Sequence, residues 1–365
     1  MTGITRLIMV GGFLGAGKTT LLYEITRKLM SEGKKIGLIT NDQASELVDT
    51  TFLLQTQAKV GEVSGSCFCC NYNGFIDSLK KVKEESDADI LIAEPVGSCT
   101  DLSATIMQPL KEQLNKELKV SPLSVLADPI RLADILDGRQ AGLHPSAVYI
   151  FEKQLEESDI ILISKTDLLE DSELEFLKEK VKLKYPESEV MSVSSKTGEG
   201  FAEWLEKVLT GTQAGQRIVD VDYDIYAEGE AVLGWLNASL KLAGKQVEWD
   251  WFVEKFLKSL GESIDKKQIG TGHIKVILEN GIQYVTGNIT GRTNTLNISG
   301  KSGVSDKAQM IINARVGTDP ETLEKIVKVI LENLSSDKIK IITDAWRCLS
   351  PSYPRPTHRY NHIVD

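Results

Sequence analysis

The chain has 365 residues, too many for one ordinary core and suited to about two domains. Apolar residues make up 41% and charged residues 26%, which excludes disordered and fibrous classes. Asp plus Glu (52) outnumber Lys plus Arg (42), and the net charge of −10 argues against nucleic acid as a partner, because phosphate-backbone affinity rests on many basic contacts.

The N-terminal apolar run leads straight into Gly-rich sequence, not into a cleavage site, so no signal peptide is expected. No later run approaches the roughly 20 apolar residues of a membrane helix, so no membrane is expected as a partner. Over the first ~210 residues, β-rich runs at Leu7–Val10, Ile36–Thr40, Ile90–Ala93, Ser124–Ala127, Ile160–Ser164 and Val190–Val193 alternate with helical patterns such as Thr19–Met30 and Phe75–Glu85. That alternation predicts an α/β fold, a parallel sheet with helices on both faces. The near-continuous apolar strands agree, since parallel strands are buried on both sides. The weakly apolar stretch Gly211–Arg217 marks a boundary between domains at 1–212 and 218–365. Beyond it the pattern predicts helices over Glu230–Leu242 and Trp251–Leu260, strands over His273–Leu278, Gln283–Ile289 and Ala308–Val316, a helix over Pro320–Leu334 and a strand over Ile339–Thr343. Strands in succession and then a helix indicate a smaller α+β domain. The Pro-rich segment Pro351–His358 is expected to be extended. Five cysteines are an odd count, and three crowd at Cys67, Cys69 and Cys70. This points to a reducing, cytoplasmic setting and to metal or thiol chemistry instead of a disulfide frame.

Between the first strand and first helix stands Gly12-Phe13-Leu14-Gly15-Ala16-Gly17-Lys18-Thr19, the GxxxxGK[ST] spacing of a P-loop. Such a loop turns backbone N–H groups inward on phosphates, and the helix N-terminus adds positive potential. Lys18 is expected on the β- and γ-phosphates and Thr19 on Mg²⁺, which makes the first domain a P-loop NTPase. Ile90–Glu94 has the strand-then-carboxylate form of a Walker B element, and Gly97 would bring a backbone N–H near the γ-phosphate. Ser164-Lys165-Thr166-Asp167 departs from [NT]KxD only at its first residue. An Asp carboxylate accepts from N1–H and the amino group of guanine, donors that adenine lacks, so GTP is favoured over ATP; Lys165 can lay its stem along the base. Ser194-Ser195-Lys196 is similar to the last base-contacting loop of GTPases.

Cys67-Phe68-Cys69-Cys70 offers up to three soft ligands. In an extended segment adjacent cysteines diverge, so two of the three are expected to bind together, and a fourth ligand must come from elsewhere. Buried packing and transient redox use are the alternatives. Cys99, two residues beyond Gly97, could supply a ligand near the γ-phosphate but is expected to pack, as is Cys348; His273 is expected to be structural, and His358 and His362 to be surface or cleft residues. No His-rich tract is present, which argues against metal storage.

Taken in order, GGFLGAGKTT, CxCC and the Glu94-x-x-Gly97 element resemble the CobW-like P-loop GTPases, relatives of the hydrogenase- and urease-maturation GTPases. The likeness covers about residues 1–210 and is weaker over the second half, which is similar in size and pattern to the CobW C-terminal domain. It implies a metallochaperone or insertase. Gly12, Gly15, Ala16, Gly17, Lys18, Thr19 and Thr20 would hold phosphate and Mg²⁺, and Lys18, Glu94 and Asp42 would be catalytic. Gly97, Lys165, Asp167, Ser195 and Lys196 would contact the nucleotide, and Cys67, Cys69 and Cys70 would bind zinc or cobalt. Two departures stand out: Ser66 replaces the Gly of GCxCC, and Asn41-Asp42-Gln43-Ala44-Ser45-Glu46 replaces N-E-F-G-E. In that switch loop Asp42, Glu46 and Asp49 could meet Mg²⁺ or the carried metal, an exposed acidic loop being the alternative for the last two. The expected function is GTP-gated delivery of a metal or corrinoid centre to a client metalloprotein or corrinoid protein. Turnover is expected to be slow, since no arginine finger is evident, with help from the client or from a GTP-dependent homodimer. The alternatives are a GTP-dependent regulator of a corrinoid methyltransferase that carries no free metal, and an ATP-dependent small-molecule kinase.

Overall fold

A computed structural model describes residues 4–42, 48–290, 295–336 and 338–365, with positions 42 and 295 given by their backbone alone. Eight parallel strands make the first sheet: β1 (Thr5–Gly12), β2 (Ile36–Asp42), β3 (Lys59–Ser64), β4 (Ile90–Glu94), β5 (Leu118–Val120), β6 (Ser124–Ala127), β7 (Ile160–Ile163) and β8 (Glu189–Ser192). Their order is β3-β2-β4-β1-β6-β7-β8, with β5 beside β1. Helices α1 (Lys18–Ser31), α2 (Val48–Leu54), α3 (Tyr72–Ser86), α4 (Gln108–Leu114), α5 (Pro129–Leu136), α6 (Pro145–Glu157), α7 (Asp171–Lys184) and α8 (Phe201–Thr210) connect and follow the strands.

Side chains alternate across each strand, and the two faces feed separate apolar clusters. Leu7 and Met9 join Leu91, Ala93, Val125 and Ile161 on one face, while Ile8 and Val10 join Ile90, Ile92, Leu126 and Leu162 on the other. This double burial explains why these strands read as unbroken apolar runs. β1 lies between β4 and β6, so the loops after β1 and β4 meet where ligands of such sheets bind.

The second half contains α9 (Tyr223–Ala231), β9 (Gly234–Glu248), α10 (Trp249–Lys266), β10 (Thr271–Glu279), β11 (Tyr284–Thr290), β12 (Thr295–Lys301), β13 (Val304–Val316), α11 (Pro320–Leu334) and β14 (Ile339–Leu349). Its strands form an antiparallel sheet in the order β12-β11-β10-β13-β9-β14. The helix expected over Glu230–Leu242 is a misreading: after α9 ends, this stretch begins the long strand β9. Leu236, Ala238, Leu240 and Leu242 alternate into a core with Phe252, Phe256, Leu257 and Leu260 of α10. Ala and Leu carry high helix propensity, but burial at every second position decides the conformation.

Contacts at several places tie the second half to the first sheet. α9 packs on α6, and Ser98 donates to Glu230 Oε1 at 2.5 Å. The N-terminal end of β10 reaches the P-loop, where Arg131 Nη1 donates to Leu14 O (2.7 Å) and Nη2 to Thr271 O (3.3 Å). The segment after β14 folds back, with Thr357 N donating to Cys69 O (2.8 Å) and Tyr360 N to Ala104 O (3.0 Å). Among the described residues no helix is long and apolar enough to cross a membrane.

Candidate functional site: a phosphate loop beside a thiol cluster

The P-loop leaves β1 at Gly12, whose φ of +127° suits glycine, and a Cβ there would stand 2.4 Å from Leu126 O. Ala16 N closes a turn on Phe13 O (3.2 Å), and Gly17 caps α1. Lys18 is buried and donates to Gly12 O at 2.7 Å, with its ammonium 4.0 Å from Glu94 Oε1. Burial lowers its pKa, partly offset by Glu94. Thr19 Oγ1 donates to Glu94 Oε1 at 3.0 Å, while Thr20 is exposed. Gly97 completes the cradle: a Cβ at this position would meet Leu14 Cδ2 at 2.7 Å and Lys18 Nζ at 3.1 Å.

The residues here fit a hard divalent cation. Thr19, Glu94 and Asp49 present oxygen donors only. Glu94 is buried, and its Oε2 has no hydrogen-bond partner among the described residues. Burial next to Asp49 raises the Glu94 pKa to about 7, against the pull of Lys18. A cation already touches this set, for Lys275 Nζ of β10 donates to Asp49 Oδ1 (2.6 Å) and to Thr19 Oγ1 (3.1 Å). Asp49 is therefore an ion-paired residue of the site and not part of a solvated acidic loop. Asp42 ends β2, but its side chain, like the whole of Glu46, lies outside the described residues.

The two loops expected to meet the base come together. Asp167 Oδ1 accepts from Ser194 Oγ (2.6 Å), and Lys196 Nζ lies 3.6 Å from Asp167 Oδ2. Ser195 sits between them in the turn after β8. Lys165, in the left-handed region at φ +53°, extends over the P-loop and donates to Gly15 O and Asp128 Oδ2, both at 2.8 Å. Asp128 escaped the sequence reading, although a carboxylate placed after β6 and just before Pro129 carries the signature of a helix cap, and it does cap α5.

The thiols do not diverge as an extended segment would require. Cys70 N and Asn71 N both turn back onto Cys67 O, at 3.1 and 2.9 Å, leading into α3, which Asn71 caps. That turn brings all three sulfurs within 4.8 Å of one another, with Cys67 and Cys69 Sγ 2.9 Å apart. Hydrogen bonds from Cys69 and Cys70 push the Cys67 thiol pKa well down. Cys99, two residues beyond Gly97, is buried and its thiol also interacts with Cys67 and Cys69. Gln154 Nε2 donates to both Gly97 O (3.0 Å) and Cys99 O (2.7 Å). Asn41, at the end of β2, donates to Val63 O and Ser66 O and accepts from Phe68 N, each at 2.8 Å. Arg355 N, from the returning segment, donates to Cys70 Sγ at 3.1 Å. The role of Asn41 depends on contacts distant in sequence, which no local pattern announces.

Residues 6–192 match the family model described as CobW/HypB/UreG, nucleotide-binding domain. Over 232 residues the chain is 29% identical to the zinc chaperone CobW of a Sinorhizobium species, covering 56% of this chain and 63% of that protein. It is 24% identical over 212 residues to zinc-regulated GTPase metalloprotein activator 1 of Dictyostelium discoideum, covering 50% and 44% respectively. The chain thus spans less than two thirds of either relative. Among solved structures, Zn(II)-bound YjiA GTPase from E. coli is similar at 16% identity and a TM-score of 0.39, covering 92% of this chain and all of that one. The matched range is more than half of the sequence and contains the P-loop, the thiol cluster and Glu94, and the protein belongs to the CobW/HypB/UreG family of P-loop GTPases.

Proposed function

We propose that the protein is a GTP-binding, GTP-hydrolysing metallochaperone that holds zinc, or cobalt in its place, as cargo for a client metalloprotein. The observation that carries this reading is the convergence of Cys67, Cys69 and Cys70 within 4.8 Å on a loop pinned by Asn41. Thiolates select zinc and similarly soft ions, and the similarity to proteins named zinc chaperones agrees with that cargo. In this reading Thr20, Ala16 and the P-loop glycines receive phosphate, and Asp167, Lys165, Ser195 and Lys196 receive guanine. Thr19, Glu94 and Asp49 hold Mg²⁺, which when bound neutralises phosphate charge. Cys99, whose buried thiol interacts with Cys67 and Cys69 but stands outside that three-sulfur set, is a candidate for the fourth ligand that a tetrahedral site asks for. Because Asn41 lies near the end of β2 and Cys99 follows Gly97, a γ-phosphate that shifts either strand end also resets the sulfur geometry. Slow turnover without help is in keeping with Arg131, a guanidinium beside the P-loop among the described residues, being engaged on the carbonyls of Leu14 and Thr271.

Equilibrium dialysis with Zn²⁺, and absorption with Co²⁺, across nucleotide-free, GDP-loaded and GTP-analogue-loaded protein tests this. Zinc affinity should differ by about tenfold or more between the last two states, a difference of roughly 1.4 kcal/mol. Serine at positions 67, 69 and 70 should abolish binding, and Cys99→Ala should weaken it. Equal affinity in all three states would sink the coupling. A triple-serine protein that keeps its metal content and its client activation would instead make the protein a GTP-dependent regulator.

A further inference from the structure

Lys275 enters the nucleotide site from a part of the chain 256 residues beyond Thr19. On β10, Ile274, Val276 and Leu278 point into the core beneath α10, so His273 and Lys275 face the opposite way. That opposite face lies on the P-loop and on α2. The carbonyl of Gly272 and the side chain of Thr290 are the nearest neighbours that a Cβ on Gly15 would meet, and Val48 N, at the start of α2, donates to Asn313 Oδ1 of β13 at 2.8 Å. The ammonium of Lys275 therefore arrives on a braced strand.

Its partners are the informative feature. Asp49 Oδ1 at 2.6 Å and Thr19 Oγ1 at 3.1 Å are oxygens that a Mg²⁺ ion at the P-loop threonine would take, and Thr19 in turn donates to Glu94. A Mg²⁺ would stand about 2.0–2.1 Å from Thr19 Oγ1. An ammonium still bonded to that same oxygen would then lie against a divalent charge, a repulsion that grows as the site is drier. That repulsion disfavours both cations on the same oxygens at once.

We propose that Lys275 is a tethered competitor for Mg²⁺, so that Mg²⁺–nucleotide loading displaces it and reports the loading to the C-terminal sheet. Lys275 and Mg²⁺ are alternative occupants: the lysine neutralises Asp49 and Glu94 when Mg²⁺ does not. When Mg²⁺ binds, β10 loses its ionic hold on α2. The inference rests on reading the P-loop as a Mg²⁺–nucleotide site.

The test uses the full chain with Lys275→Met, and with Lys275→Arg as the charge-retaining control. Wild type is first assayed for binding of a fluorescent GDP analogue; no binding there overturns the nucleotide reading, and this inference with it. With binding established, Mg²⁺ is titrated into the GDP complexes, and thermal midpoints are read in EDTA, in GDP with EDTA and in GDP with Mg²⁺. Removing the competitor should lower the Mg²⁺ half-saturation concentration by about tenfold or more. Lys275→Met should also melt below wild type in EDTA, with the gap closing under Mg²⁺–GDP, and Lys275→Arg should stay near wild type throughout. A melting gap of the same size in all three conditions makes Lys275 a plain interdomain ion pair and overturns the proposal. A raised half-saturation concentration overturns it too, because Lys275 would then be assisting the loaded site.

Discussion

Asp167 sits between two neighbours of different strength. It accepts the Ser194 hydroxyl at 2.6 Å on one oxygen, and the other lies 3.6 Å from the exposed ammonium of Lys196. The Ser194 contact fixes the carboxylate's direction, while the exposed ion pair contributes little by itself. A base offering two N–H donors would find an oriented acceptor, and one lacking them would leave a charged group unpaired. Asp167→Asn replaces an acceptor pair by one acceptor and one donor. Preference for GTP over ATP in a competition assay should then fall by about 10- to 100-fold, the worth of a hydrogen bond to a charged group. An unchanged preference would remove Asp167 from base selection. At this scale the contiguous motifs were legible in the sequence, because GxxxxGK[ST], SKTD and CxCC each place their chemistry within a few residues. Lys275 and Asp128 were not singled out, and Asn41 stood out only as a departure in a motif, since what each does depends on a partner on another element.

Helix α6 ends at Glu157, which is buried with its carboxylate accepting from Ser103 N (2.9 Å) and Thr100 Oγ1 (3.1 Å). Burial outweighs these bonds and raises its pKa to about 8; the negative end of the helix acts in the same sense. The folded chain keeps a proton here that the unfolded chain releases near the usual glutamate value of 4.5. Folding stability should therefore fall as pH rises from about 4.5 to about 8, and level off above. Glu157→Gln cannot ionise, so its thermal midpoint relative to wild type should rise between pH 5 and pH 9. A difference that stays flat across that range would show that Glu157 is charged in the folded state. Element identity was legible wherever burial is two-sided, as in β1, β4 and β7. It failed at β9, whose Ala- and Leu-rich sequence conceals a period of two. It also failed at β3 and β5, one an edge strand with exposed polar positions and the other three residues long, too brief for a pattern to stand out.

Viewed entire, the chain closes on itself around the sulfur loop. The segment after β14 lies along residues 69–104: Arg355 N reaches Cys70 Sγ and Thr357 N reaches Cys69 O. The His358 ring packs edge-on against Tyr72 at 4.8 Å, and Arg359 Nε donates to Asp101 Oδ2 at 2.7 Å. Ending the chain after Ser350 should speed reaction of the cysteines with a thiol-specific disulfide reagent by about tenfold or more, if covering free-energy of roughly 1.4 kcal/mol is lost. Equal rates would mean that the segment does not guard the thiols. None of this was visible in the sequence, where a Pro-rich stretch announces extended backbone but not its destination.

The returning segment also gives the molecule a history. Polypeptides leave the ribosome amino end first, so the CxCC turn emerges long before residues 355–360 arrive to roof it. Until they do, a nascent copy lacks the contacts that this segment makes with Cys69 and Cys70. The order of synthesis thus makes a segment translated later the cover of a sulfur turn made earlier.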